Sequence, residues 1–278
     1  MLNLMYITNQ FETAKIADQS GVDRIIIDLE TMGKYQRQRH IDSVKSQHVI
    51  EDIPMIKSAL KTAKLLVRVN PIHEQSQVEI DQAIVGGADI VMLPMFQTVR
   101  EAEIFLKMVD GKAKVCLLTE TVGAIQNLDD ILKVDGVNEI YIGLNDLHIS
   151  MGQDFLFEPL ADGTVDTIFQ KAHSHHISCG FGGVAHIGSG DLPAERIITE
   201  HYRLGSRAVI LSRKFCDYAD IELNPQHYAE SFASCIQEIR HLEDKLAAYA
   251  DVQFEENRKI VVDRVNQIVS AVQAKKKV

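Results

Sequence analysis

The sequence predicts an α/β protein, a (β/α)8 barrel followed by a C-terminal helical extension. Three observations predict it. Short apolar runs rich in Val and Ile recur without polar alternation, as parallel strands covered on both faces do. Longer amphipathic stretches separate them, many opening on Thr, Asp or Pro or closing at Gly, as capped helices do. Eight strand-like runs, each followed by a helix or helical tail, fit a barrel within a chain of 278 residues. A doubly wound open sheet has the same alternation, and strand counting alone leaves both open.

The expected strands are Leu4–Thr8, Arg24–Glu30, Leu65–Asn70, Ile90–Met95, Lys114–Glu120, Glu139–Asp146, Ile177–Gly182 and Ala208–Arg213. Several are rich in Val and Ile and lack polar alternation. The expected helices between them are Gln10–Gln19, Ile50–Ala63, Gln75–Gly86, Thr98–Val109, Val122–Leu132, Val165–His176 and Pro193–Leu204. Two more, His227–Ala250 and Phe254–Ala274, follow the last strand. With no repeat or linker in view, residues 1–224 read as one barrel domain and 225–278 as an extension. The apolar positions Leu242, Leu246, Val261, Val262, Val265 and Ile268 give the extension faces that a barrel does not require. A homo-oligomer built partly on them is expected.

Composition narrows the function. Hydrophobic residues make up 46% of the chain, enough for a sizeable core. The net charge is -10, and the only dense basic run is K-K-K near the C-terminus. Nucleic acid and anionic membranes are therefore poor partners, and a small molecule is the expected one. The first residues lack a signal-peptide pattern, and no apolar run reaches the roughly 18 residues of a membrane helix. Cys116, Cys179, Cys216 and Cys235 form no C-x-x-C pair and read as free thiols. A cytoplasmic protein is expected.

The stretch from Lys114 to Gly152 carries the chemistry. It reads as a buried strand ending at Glu120, a helix, and a second buried strand ending at Asp146. In a parallel strand–helix–strand unit both acids sit at the carboxyl end of the sheet, where α/β folds bind ligands. Two converging carboxylates suit a hard divalent cation, Mg²⁺ or Mn²⁺. The other strand ends add Asp28 and Glu30, Arg68 and Asn70, Pro94, the glycine-rich Gly180–Gly183, and Ser212 and Arg213.

Five motifs in this order, R-I-I-I-D-L-E, L-L-V-R-V-N, G-G-A-D-I-V-M-L-P, L-L-T-E-T and Y-I-G-L-N-D-L, resemble the HpcH/HpaI aldolase and citrate lyase β-subunit family. The resemblance covers about Asp23 to Gly152 and continues more weakly to Phe215. It implies a (β/α)8 barrel that cleaves carbon–carbon bonds in oxoacid or acyl-thioester substrates with a divalent metal. It also implies that Glu120 and Asp146 hold the metal and that Arg68 contacts the substrate carboxylate or enolate. The resemblance further implies that the backbone near Leu93 and Pro94 helps close the oxoacid pocket, and Gly143 is a further substrate-binding candidate. Asp28, Glu30 and His48 join Arg68 as catalytic candidates. A retro-aldol cleavage leaves an enolate, which needs such a cation and an arginine fork. The competing reading of Arg68 is an ion pair with Asp28 or Glu30.

The chain also departs from the family. Thr31 stands where the aldolase branch has a base histidine and the citrate-lyase-like branch a second acid. Leu118 stands where the aldolase branch has a glutamine. Proton transfer therefore falls to Asp28 and Glu30, or to Lys34, Arg37, His40 or His48 in the next loop. The G-x-G-x-x-A match at Gly180–Ala185 is not followed at once by a helix, so a rim loop is expected rather than a dinucleotide site. His173, His175 and His176 precede a strand and fall on the lower face. Glu200 and His201 fall in a helix and read as surface or interface. Two other functions fit: a catalytically silent oxoacid-binding or assembly subunit, and a phosphoenolpyruvate/pyruvate-type transfer enzyme.

Overall fold

The computed structural model describes residues 1–34, 47–212, 215–216 and 224–276. Arg37, His40 and Arg213 lie outside the described residues. Nine parallel strands form one sheet: β1 (Asn3–Ile7), β2 (Arg24–Asp28), β3 (Lys64–Arg68), β4 (Ile90–Leu93), β5 (Lys114–Thr119), β6 (Glu139–Ile142), β7 (Ser178–Phe181), β8 (Gly183–Val184) and β9 (Ala208–Leu211). The order is β7-β6-β5-β4-β3-β2-β1-β9-β8. β7 and β8 are two halves of one barrel strand, interrupted at Gly182, whose φ of +55° favours a residue without Cβ. The first half pairs with β6 and the second with β9, so the sheet curls round on itself. The amide of Arg207 on the oxygen of Cys179, at 2.8 Å, bridges the same seam. Eight strand positions and a near-closed barrel result.

Strand alternation sorts side chains into two cores. Met5, Ile26, Leu66, Ile90, Met92, Cys116, Leu118, Tyr141 and Ala208 fill the barrel. Their neighbours in sequence, such as Ile25, Ile27, Leu65, Val67, Val91 and Leu117, face the helices. Arg24 and Glu139 pair at 2.7 Å at the lower end of the inward rows. At the upper end the same rows deliver Asp28, Arg68, Glu120 and Gly143.

Helices cover the outside. The best-signalled is Val99–Val109, with a capping box between Thr98 and Glu101. The expected helix over 122–132 is two short ones, Val122–Gln126 and Leu128–Ile131, divided at Asn127. Asn127 spends its side-chain amide on the carbonyls of Gln97 and Gly123. Glu158–Ala161 is a further short helix that the apolar pattern did not signal. Pro225–Leu246 buries Tyr228, Phe232, Ile236 and Ile239 and packs against both Phe11–Gln19 and Ala194–Arg203. That is the position of a barrel's eighth helix, so the expected boundary at 224 falls before it. Asp251–Lys276 then packs on Ala194–Arg203 and Glu158–Ala161, with Val261 and Val265 buried. Of the apolar positions expected to serve an oligomer, Leu246, Val261 and Val265 are buried in the chain itself and Leu242 packs beside them, whereas Val262 and Ile268 stay half-buried.

Glu200 and His201 are also not at the surface: each is 0% exposed. Glu200 accepts from Arg203 Nε at 2.8 Å and from Asn257 Nδ2 at 2.9 Å. Among the described residues no helix is long and apolar enough to cross a membrane. The four cysteines are free, and three are buried.

Candidate active site

A cavity of about 440 Å³ opens at the carboxyl end of the strands. Asp28, Lys34, Arg68, Glu120, Gly143, Asn145 and Asp146 line its polar side. Phe155, Leu156, Phe157, Leu192 and Ile197 are among its apolar lining.

Asp28 is the hub of the polar side. Arg68 donates to it bidentately, Nε to Oδ1 at 2.8 Å and Nη2 to Oδ2 at 2.7 Å. Lys34 Nζ donates to Oδ2 at 2.7 Å, and the amide of Glu30 reaches Oδ1 at 3.2 Å. Burial alone would raise the Asp28 carboxyl, but Arg68 and Lys34 outweigh it and hold it well below the usual range. Arg68 is likewise driven up: burial opposes its charge, and Asp28 and Glu30 more than offset that. Its Nη1 lies 3.5 Å from Glu30, and Lys34 Nζ lies 3.6 Å from the same carboxylate. The arginine is thus an ion-pair partner of Asp28 and also a wall of the cavity. Both readings of this residue hold at once.

Glu120 is 2% exposed. Its Oε1 accepts from the amide of Met95 at 3.1 Å. Met95, the donor, adopts a φ of 55°, uncommon for a residue with a side chain. Among the described residues Oε2 has no hydrogen-bond donor. Burial first, then Asp146 and Glu30, push the Glu120 carboxyl well above its ordinary value. Gly143 explains how this acid fits. A Cβ there would collide with Glu120 Oε2 and crowd its Cβ at 3.0 Å.

Asp146 is not at a strand end. β6 stops at Ile142, and Leu144–Ser150 is a helix whose first turn carries Asp146. It still lines the cavity, from the N-terminal end of that helix, where a carboxylate is favoured. The G-L-N-D spelling misled because Leu144 and Leu147 continue the apolar pattern into the helix.

The remaining expected residues are spread out. The expectation for Leu93 and Pro94 concerns their backbone; the side chain of Leu93 itself belongs to the outer core, because alternation turns it away from the barrel axis. Leu93, Pro94, Glu30 and His48 are absent from the described cavity lining. Glu30 stands just behind it, 1% exposed, against Arg68 and Lys34. His48 Nδ1 accepts the amide of Asp28 at 3.0 Å, so the neutral ring carries its proton on Nε2. Asn70 braces the loop that replaces the family's base: its Oδ1 accepts from the amides of Thr31 at 2.9 Å and Met32 at 3.0 Å. The rim loop Gly182–Gly183 lines the cavity, and the next helix begins only at Ala194. The aromatic wall 155–157 escaped sequence reasoning. Its signal, F-L-F between two acids, looks like any surface loop.

Residues 4–156, which include both carboxylates and Arg68, match the family model of HpcH/HpaI aldolase/citrate lyase. The chain belongs to the HpcH/HpaI aldolase/citrate lyase family. It is 28% identical over 188 residues to the 2-keto-3-deoxy-L-rhamnonate aldolase of Escherichia coli K12, a match spanning 62% of this chain and 70% of that one. The enzyme of that name from Klebsiella pneumoniae is 29% identical over 154 residues, spanning 50% and 58%. Among solved structures, the HpcH/HpaI aldolase of Desulfitobacterium hafniense DCB-2 superposes with a TM-score of 0.60 at 15% identity, over 83% of this chain and 92% of that one. The citrate synthase SbnG gives 0.56 at 17% identity, over 84% and 93%. The structural likenesses speak for the fold. Family membership makes the chain an enzyme, a carbon–carbon lyase.

Proposed function

We propose that this lyase cleaves and forms a carbon–carbon bond next to the carbonyl of a 2-oxoacid, through an enolate and with a divalent metal. The observation that carries this reading is the convergence of Glu120, Asp146 and Arg68 on one cavity. Among the described residues no set of three His, Cys, Asp or Glu could hold a metal. Two carboxylates with water completing the shell suit Mg²⁺ or Mn²⁺, which keep several waters. The residues fit such an ion. Glu120 has an oxygen without a donor, and its charge beside Asp146 is unfavourable until a cation joins them. Bound there, the metal would supply a Lewis acid for the oxoacid carbonyl.

The chain's own groups do the rest. Arg68 spends Nε and Nη2 on Asp28 and holds Nη1 3.5 Å from Glu30, so it meets the substrate's carboxylate or enolate oxygen as a cation on the cavity wall. Asp28 stays ionised and orients Arg68, so it is not the proton carrier. His48 holds the strand end from behind through the Asp28 amide. Proton transfer falls to Lys34, on the cavity wall, and Glu30 3.6 Å from it, through a water. Acyl-thioester substrates share the enolate and remain within this reading.

The test is hydrogen exchange of pyruvate. With Mg²⁺ in D₂O the methyl protons should exchange, followed by NMR, and Glu120→Ala should lose at least a hundredfold while staying folded. Exchange that ignores both the metal and Glu120 would refute the assignment.

A further inference from the structure

The cavity, at about 440 Å³, is larger than a three-carbon oxoacid needs, and its lining is of two kinds. The segments that follow β6 and β8 contribute Phe155, Leu156, Phe157, Leu192 and Ile197 to its lining, whereas Arg68 ends β3 and Glu120 follows β5. Phe157, Leu192 and Ile197 are buried, at 7%, 2% and 3% exposed, and Phe155 and Leu156 are half-buried beside them. Phe155 and Phe157 meet edge to face with centroids 5.6 Å apart.

This wall is held in place. Glu158 Oε1 accepts the amides of Asp154 at 2.6 Å and Phe155 at 2.7 Å. The carboxylate of Asp154 takes Gln273 Nε2 at 2.9 Å and Lys276 from the end of the last helix. Arg264 Nε donates to the carbonyl of Asp191 at 3.1 Å and ties down the segment that carries Leu192. A fixed apolar surface binds apolar groups without an ordering cost.

We propose that this wall is the subsite for the second substrate, and that it takes an aldehyde with an apolar alkyl or aryl side chain. The proposal rests on the lyase reading above. In the synthetic direction C3 of the pyruvate enolate bonds to the aldehyde carbon, and the aldehyde oxygen takes one proton. Cleavage reverses both changes. A polyhydroxylated aldehyde would bury hydroxyls against Phe155, Leu156 and Leu192, which offer no hydrogen bonds. An anionic aldehyde would face Asp191, the only charged side chain among the described residues on this wall. The apolar class is the one that loses nothing on entry.

The experiment measures aldol addition of pyruvate to hexanal, lactaldehyde and succinic semialdehyde, beside methyl exchange of pyruvate alone. Hexanal should lead in kcat/KM by at least tenfold. Leu156→Asn should cut that lead severalfold, and Phe155→Leu, which keeps the wall apolar, should preserve it. Normal pyruvate exchange with lactaldehyde or succinic semialdehyde equal to or ahead of hexanal would overturn the proposal and leave the lyase reading standing. Absent pyruvate exchange would count against the lyase reading itself. The wall is then judged by saturation-transfer NMR with hexanal: transfer to its alkyl protons is expected, and none would overturn the subsite.

Discussion

Gly143 carries more of the site than its lack of a side chain suggests. Its φ of -82° is open to any residue, so the backbone does not demand glycine there. The Glu120 carboxylate does, because it rests where a Cβ would be. Gly143→Ala should therefore fold, since the displaced group is the mobile end of a side chain. It should lower metal-dependent pyruvate exchange by about tenfold or more, equivalent to at least ~1.4 kcal/mol, and weaken Mg²⁺ in calorimetry. A variant with full exchange would mean that Glu120 does not act from this pose. Asp28, Arg68 and Glu120 were singled out because they stand at the ends of apolar strand runs, and the alternation of each strand turns them inward. That same alternation turns Leu93 outward, by a parity that the residues of its own strand already set. The reason for Gly143 was not legible, because the residue it accommodates lies on another strand.

At the scale of elements, strand cores were readable and helix environments were not. Ala194–Arg203 looked like a surface helix because E-H-Y-R is polar, yet its Glu200 and His201 are buried. The partners are distant in sequence: Asn257 for the acid, and Phe181, stacked on the imidazole at 3.8 Å and 7°, for the histidine. Nδ1 of His201 pairs with Ser206 Oγ at 2.8 Å, and among the described residues Nε2 has no partner. Burial lowers this histidine from 6.5 to about 3. The unfolded chain therefore takes up a proton near pH 6.5 that the folded chain refuses until about pH 3. Stability that is full above 6.5 drains away as the pH falls through that window, by about 1.4 kcal/mol per pH unit. Thermal melts between pH 7 and pH 4.5 should slope downward. His201→Phe, which keeps the stack, should flatten that part of the slope. Equal slopes in both proteins would rule out His201 as its source.

For the whole molecule, the strand–helix count was legible, and the role of the chain after the last strand was not. Amphipathic stripes at 225–246 and 251–276 fix that these helices are covered, without fixing by what. The first completes the helical ring: Glu243 accepts the amide of Leu2 at 2.6 Å, and Arg240 Nη1 donates to the carbonyl of Leu2 at 2.9 Å. The second lies across the seventh helix and closes a polar network there. Asn257 and Arg258 both face Glu200, and Arg258 also pairs with Asp166 at 3.2 Å. A chain ending at Ala250 would expose Ala194–Arg203 and strip a fully buried carboxylate of two partners. The truncation also removes the burial of Val261 and Val265, worth about 1.5–3 kcal/mol for each fully buried side chain, a sizeable part of the roughly 5–15 kcal/mol that holds a domain folded. That chain should melt many degrees lower and aggregate on heating. If light scattering finds the full chain to be an oligomer and this shortened one keeps both its size and its melting temperature, the last helix braces neither the barrel nor an interface. If only the size persists, the subunits meet through another face, and the helix serves its own barrel.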